Sequence, residues 1–181
     1  MGKVVLITGG ARSGKSDYAQ KMAENIGGKK AFIATCPVSD KELEDRISKH
    51  RQARAGKGWH TIEETIDLEA SLKKTQDYDV VLVDCLTLWV NNLMYHTKDS
   101  EGPLDEQRVY QLAVRIIEAA QGGSGTRIFV TNEVGMGIVP DSEVARKYRD
   151  LLGRCNQVFA EKADEVVFMV CGIPVNVKPR R

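Results

Sequence analysis

Gly9-Gly10-Ala11-Arg12-Ser13-Gly14-Lys15-Ser16 fits the spacing G-x-x-x-x-G-K-[ST] without deviation. Its flanks agree with it: Val4 to Thr8 is a continuous apolar run that reads as a buried strand, and Lys15 to Ile26 reads as an amphipathic helix. Between such a strand and helix, successive backbone N–H groups wrap phosphate oxygens, and the helix N-terminus adds partial positive charge. Lys15 is then placed for the outer phosphates of a nucleotide and the Ser16 hydroxyl for Mg²⁺. A second run, Val80 to Asp84, is apolar up to a single terminal carboxylate. That puts Asp84 in the Walker B position, the other ligand for Mg²⁺.

Outward from these two runs the chain alternates strands and helices. Ala31 to Thr35 reads as a strand ending at Pro37. Ser39 with Glu42 forms a capping box opening a helix to about Arg54, and Ala55-Gly56-Lys57-Gly58 breaks it. Leu86 to Met94 reads as a helix and Thr97 to Pro103 as a polar loop. In Asp105 to Gln121, apolar residues at Val109, Leu112, Ala113, Ile116, Ile117 and Ala120 recur at three- and four-residue steps, a helical period that Gly122 to Gly125 stops. Arg127 to Thr131 is a further strand, Asp141 to Lys162 a further helix, and Glu165 to Val170 and Pro174 to Val177 are closing strands. This order predicts a mainly parallel sheet with helices on both faces. Only Cys171 to Ile173 separates the last two strands, too short for a helical crossover, so the sheet should end in an antiparallel pair.

The 181 residues suit one domain spanning 1–181. With 26 Lys and Arg against 25 Asp and Glu, the net charge of +1 lacks the basic excess of a general nucleic-acid binder. No run approaches the roughly 20 apolar residues of a membrane helix, and Val4 to Ile7 is too short for a signal-peptide core. A cytoplasmic protein is expected. Cys36, Cys85, Cys155 and Cys171 form no C-x-x-C pair and the three histidines no H-E-x-x-H, so a dedicated structural metal site is not expected.

Two further features point to chemistry. His50 lies in line with Leu43 and Ile47 on the expected helix, among Arg46, Lys49, Arg51 and Arg54. An imidazole there serves either as a cap for the helix C-terminus or, near a phosphate-binding loop, as a nucleophile toward phosphorus. Thr131-Asn132-Glu133-Val134-Gly135-Met136-Gly137-Ile138-Val139-Pro140 directly follows a parallel strand, which places it on the ligand side of the sheet.

Thr8 to Ser16, Arg46-Ile47-x-x-His50, the Thr131 to Pro140 run, Gly153-Arg154-x-Asn156-Gln157, Ala163-Asp164-Glu165-Val166 and Gly172-Ile173-Pro174 together resemble the bifunctional adenosylcobinamide kinase and adenosylcobinamide-phosphate guanylyltransferase family of cobalamin biosynthesis. The resemblance covers essentially the whole chain. It implies a RecA-like P-loop NTPase fold and a two-step enzyme. ATP or GTP phosphorylates the aminopropanol hydroxyl of adenosylcobinamide, and GTP then gives GMP to a histidine that passes it to adenosylcobinamide phosphate. It implies His50 as that histidine. The implied nucleotide contacts are Gly9, Gly10, Ala11, Arg12, Ser13, Gly14, Lys15 and Ser16, then Ala34, Thr35 and Cys36, then Arg51, Gln52, Ala53 and Arg54, with Glu63 and Asp84. Asp84 stands where glutamate can occur in relatives, and Cys36 where serine can occur, which removes a hydroxyl donor. The resemblance also implies a homotrimer whose subunits contribute to one another's sites. A plain P-loop kinase would need Lys15, Ser16 and Asp84 but never trap covalent GMP; a GTP-dependent switch would want an N-K-x-D motif, which the sequence lacks.

Overall fold

The computed structural model describes residues 1–37, 52, 54–96 and 102–179. Seven strands, β1 (Lys3–Gly9), β2 (Lys30–Ala34), β3 (Trp59–Glu63), β4 (Val80–Asp84), β5 (Thr126–Val130), β6 (Glu165–Val170) and β7 (Ile173–Lys178), make one sheet in the order β3-β2-β4-β5-β1-β6-β7. All neighbours run parallel except β6 and β7, the antiparallel pair expected at the end of the chain. Five helices accompany them among the described residues: α1 (Lys15–Ile26), α2 (Leu68–Lys74), α3 (Leu86–His96), α4 (Glu106–Gln121) and α5 (Glu143–Lys162).

The central strands β1 and β4 carry unbroken apolar runs, Val4 to Ile7 and Val80 to Val83, because both of their faces are covered. Along β1 and β4, Val5, Ile7, Val80 and Leu82 pack toward Ala19 and Ala23 of α1. The alternate residues Val4, Leu6, Val81 and Val83 pack toward α3, α4 and α5, where Trp89, Ile116 and Phe159 are buried. A strand that alternated apolar and polar residues could not satisfy both sides at once.

Two elements absent from the sequence-based expectation fill the interval between the glycine break and β4. Strand β3 is a sheet edge with only Trp59 and Ile62 half-buried, so its Trp-His-Thr-Ile-Glu run shows no apolar continuity. Helix α2 is seven residues long and buries only Leu68, Ser71 and Leu72, too few for a helical period to show. Its signal was the cap: the Asp67 carboxylate accepts from the Ala70 amide. Of the helix expected from Ser39 to Arg54, residues 39–51 and 53 lie outside the described set.

The glycines at 122–125 do more than stop α4. Arg127, fully buried at the start of β5, donates through Nη1 to the Tyr78 carbonyl at 3.2 Å and through Nη2 to those of Thr75 and Gln76 at 3.1 and 3.4 Å. A Cβ on Gly125 would lie 2.3 Å from the Tyr78 carbonyl oxygen and 2.6 Å from Nη1 of Arg127. The guanidinium thus caps the chain leaving α2, and glycine makes room for it.

Candidate active site

The carboxyl ends of β1, β2, β4 and β5 and the amino end of α1 enclose a cleft of about 730 Å³. Its floor is the phosphate-binding loop. Gly9 holds φ +148°, and a Cβ there would lie 2.5 Å from the Met169 carbonyl oxygen, so the loop can leave β1 at this angle only without a side chain. The loop is held from three sides: Ser13 N–H donates to Gly10 O at 3.3 Å, Glu133 N–H to Gly9 O at 3.0 Å, and Gly172 N–H to Ser13 O at 3.0 Å.

Lys15 opens α1 with 8% of its surface exposed, its ammonium donating to the Gly10 carbonyl at 2.6 Å. Burial lowers the pKa of this ammonium, while Cys85 and Asp84 across the cleft oppose the shift. A cation so poorly hydrated is a site for an anion, because phosphate oxygens replace the lost water.

Asp84 and Cys85 face the loop from β4. The Asp84–Cys85 peptide is cis, and Thr35 clasps it: the Cys85 amide donates to the Thr35 hydroxyl at 2.7 Å, which donates to the Cys85 carbonyl at 2.8 Å. Asn92 of α3 donates to the Thr35 carbonyl at 2.8 Å. Thr35 is therefore fully buried and braces the rim with its side chain, where the sequence-based expectation had it contacting nucleotide. The Cys85 thiol, lifted to about 12 by burial and then by Asp84, stays protonated at neutral pH.

Of the residues expected to contact nucleotide, Ala11 to Ser16, Ala34, Cys36, Arg54, Glu63 and Asp84 line the one cleft. Arg54 is buried with its guanidinium 3.5 Å above the Phe32 ring centroid, a cation–π contact that fixes its plane. Gln52 is exposed and not among the lining residues. His50, Arg51 and Ala53 lie outside the described residues.

Phe32, Thr87 and Leu88, which no sequence motif marks, also line the cleft, as do Thr131 and Asn132. The Thr131 run had been placed on the ligand side, and its first residues are locked there. Thr131 donates to Asn156 Oδ1 at 2.7 Å, Asn156 Nδ2 to the Asn132 carbonyl at 3.0 Å, and the Asn132 amide to the Thr87 hydroxyl at 2.8 Å. The Asn156 signal was present in the Gly153-Arg154-x-Asn156-Gln157 element, although nothing in sequence tied it to Thr131.

Residues 5–177 match the family model described as cobinamide kinase / cobinamide phosphate guanyltransferase. The chain is 39% identical over 174 residues to the bifunctional adenosylcobalamin biosynthesis protein CobP of Pseudomonas aeruginosa, covering 96% of each chain. It is 38% identical over 182 residues to the bifunctional adenosylcobalamin biosynthesis protein CobU of Escherichia coli, covering 97% of this chain and 99% of that one. Among solved structures it resembles the flagellar accessory protein FlaH of Methanocaldococcus jannaschii (TM-score 0.55, 12% identity, 98% of this chain and 79% of that chain). It also resembles the RadB recombinase (TM-score 0.51, 15% identity, 92% and 73%). At such identities these two likenesses show the fold alone, the RecA-like P-loop arrangement.

Proposed function

This chain belongs to the cobinamide kinase / cobinamide phosphate guanyltransferase family, and from that premise we propose that it is one catalytic domain performing both reactions on adenosylcobinamide at the β1–β4 cleft. The observation that carries the reading is the desolvated Lys15 ammonium in a glycine-walled phosphate loop facing Asp84.

In the kinase step the acceptor's hydroxyl oxygen attacks the γ-phosphorus of ATP or GTP. The bond to the β-phosphate oxygen breaks, and the hydroxyl proton leaves to solvent. Lys15 and the loop amides hold the terminal phosphates in line and take up the charge that develops on them. In the second step an imidazole nitrogen of His50 attacks the α-phosphorus of GTP and pyrophosphate departs. An oxygen of adenosylcobinamide phosphate then attacks the same phosphorus, and the P–N bond breaks to give adenosylcobinamide-GDP. Arg54 and Glu63, across the cleft from the loop, are assigned to the nucleoside, together with Ala34 and Cys36.

The donor set fits Mg²⁺. The Ser16 hydroxyl and the Asp84 carboxylate, both lining the cleft, would hold the ion, and no group of three or more His, Cys, Asp or Glu residues gathers among the described residues. Mg²⁺ favours such sparse protein ligation completed by phosphates and water, and when bound it would neutralise the phosphate oxygens.

A homotrimer and a cytoplasmic location belong to the same proposal. Supporting association, β7 is a sheet edge among the described residues, with Ile173, Val175 and Val177 exposed. No helix among the described residues is long and apolar enough to cross a membrane.

Labelling tests the reading. After incubation with GTP carrying labelled α-phosphate and then denaturation, the chain should retain an acid-labile, base-stable label. His50→Asn, which can cap a helix but cannot form a phosphoramidate, should lose the label and GMP transfer while keeping most of the kinase activity. Undiminished GMP transfer by His50→Asn would remove His50 from the mechanism.

A further inference from the structure

Among the described residues, Val134–Pro140 is an uncharged heptapeptide in a chain that is 28% charged. Met136, Ile138 and Val139 are 78%, 95% and 59% exposed. The loop is nonetheless built firmly. Val134 packs against the core, the Glu133 carboxylate accepts from the Gly135 amide at 2.8 Å, and Arg146 donates to the carbonyls of Pro140 and Asp141 at 2.9 and 2.6 Å. Polar anchors at both ends thus hold three large apolar side chains out in water, an arrangement that serves a ligand rather than the fold.

Gly137 sharpens this. Its φ is not positive, and the nearest atom to a Cβ built there is the Val134 carbonyl oxygen at 3.8 Å. Neither backbone conformation nor crowding requires glycine, so its absent side chain keeps the outer surface flat.

The position of the loop says what the flat surface faces. Asn132 lines the cleft, and Met136 lies four residues on, within about 14 Å of chain. The β3–β2 side of the cleft, with Glu63, Arg54 and Cys36, is the side assigned to the nucleoside. The side at the end of β5 is left for the acceptor, whose hydroxyl must come within about 3–3.5 Å of the terminal phosphorus. In adenosylcobinamide that hydroxyl hangs on a short arm from a broad, rigid corrin ring. The ring is too wide for the cleft to share with a nucleotide and must rest just outside its mouth.

We propose that Val134–Pro140 is the acceptor shelf, on which the corrin ring lies against Met136, Ile138 and Val139 and over Gly137. The assignment rests on the functional reading above and gives the acceptor a binding surface separate from the nucleotide contacts.

The test uses the full chain, adenosylcobinamide and two variants: Met136→Ser with Ile138→Ser, which removes the apolar surface, and Gly137→Leu, which raises a bump where the backbone tolerates one. Both should increase the KM for adenosylcobinamide in the kinase step, and its Kd followed by its visible absorbance, by about tenfold or more. Nucleotide Kd should stay within twofold of the parent, with unchanged thermal melting and unchanged mass in solution. An unchanged corrinoid KM in an active protein would overturn the shelf alone. A fall in solution mass would overturn it by identifying the loop as a contact between copies of the chain. A parent chain that phosphorylates no corrinoid would overturn the functional reading, and the shelf with it.

Discussion

Replacing Arg127 by Met asks whether a buried cation can be held by backbone carbonyls alone. Arg127 is fully buried, and among the described residues no carboxylate reaches ion-pair distance of it; burial accordingly lowers its pKa, opposed by Asp77 from farther away. Its partners are main-chain oxygens that no substitution removes. Methionine keeps most of the apolar stem, so the cavity is small. The Thr75 carbonyl still accepts from the Tyr78 amide at 3.1 Å, whereas those of Gln76 and Tyr78 lose the guanidinium. The two lost charge-assisted hydrogen bonds, to the carbonyls of exposed Gln76 and half-buried Tyr78, at about 1.5–3 kcal/mol each and partly offset by relief from burying a charge, leave a net cost of about 3 kcal/mol. For a chain of this size that lowers Tm by about 6–12 °C. Urea unfolding followed by circular dichroism measures the cost directly, and Arg127→Lys, which keeps the charge but not the fork, should recover part of it. Nucleotide affinity should not move, because Arg127 sits at the amino end of β5, across the sheet from the cleft. A methionine variant within about 0.5 kcal/mol of the parent would refute the reasoning, showing that charge burial costs as much as the carbonyl contacts supply.

Lys15→Ala should lower both kinase and guanylyl-transfer rates by about 10²–10³-fold, the usual cost of losing a charged donor at a reacting phosphate; full retention of either rate would mean a second nucleotide site. Asp84→Asn should raise the Mg²⁺ concentration needed for half-maximal activity by about tenfold or more, and an unchanged magnesium titration would remove Asp84 from the metal's surroundings. In alkylation at pH 8, exposed Cys171 should react first and buried Cys155 last. Cys85 should stay slow even at pH 10, because its folded pKa of about 12 lies above the ordinary 9.0 and only the thiolate reacts; mass-mapped labelling of Cys85 ahead of Cys171 would contradict its burial.

Sequence revealed most where a residue's role is local. The phosphate loop needs glycines and Lys15 at fixed offsets, and β1 and β4 carry unbroken apolar runs because both faces are covered, so each announces itself within a few residues. Strand β3 exists because β2 offers it an edge, and α2 because β3 must return to β4; neither carries enough buried side chains to print a period. The cleft was legible in part for the same reason. Lys15, Ser16 and Asp84 follow from motif spacing. The turn of Thr35 onto the Cys85 peptide, and the link from Asn156 to Thr131, depend on residues 50 and 25 positions apart that only the folded sheet brings together. Gly122 to Gly125 reads in sequence as a helix stop, whereas the room that Gly123 and Gly125 leave for the Arg127 guanidinium exists only in the folded chain.

The hydrogen bond from Gly172 to Ser13 and the contact of Met169 with Gly9 join the last hairpin to the first loop. Strand β1 is made first yet pairs with β5 and β6, both near the far end of the chain. During synthesis it therefore waits with both edges open, and the nucleotide cradle, encoded in the first sixteen residues, is finished only when residue 172 has left the ribosome. Nascent chains stalled before β6 should accordingly fail to retain nucleotide on an ATP or GTP resin, while chains extended past Lys178 retain it. Nucleotide capture would then stabilise only chains whose β6–β7 hairpin has docked, leaving those without it to proteolysis.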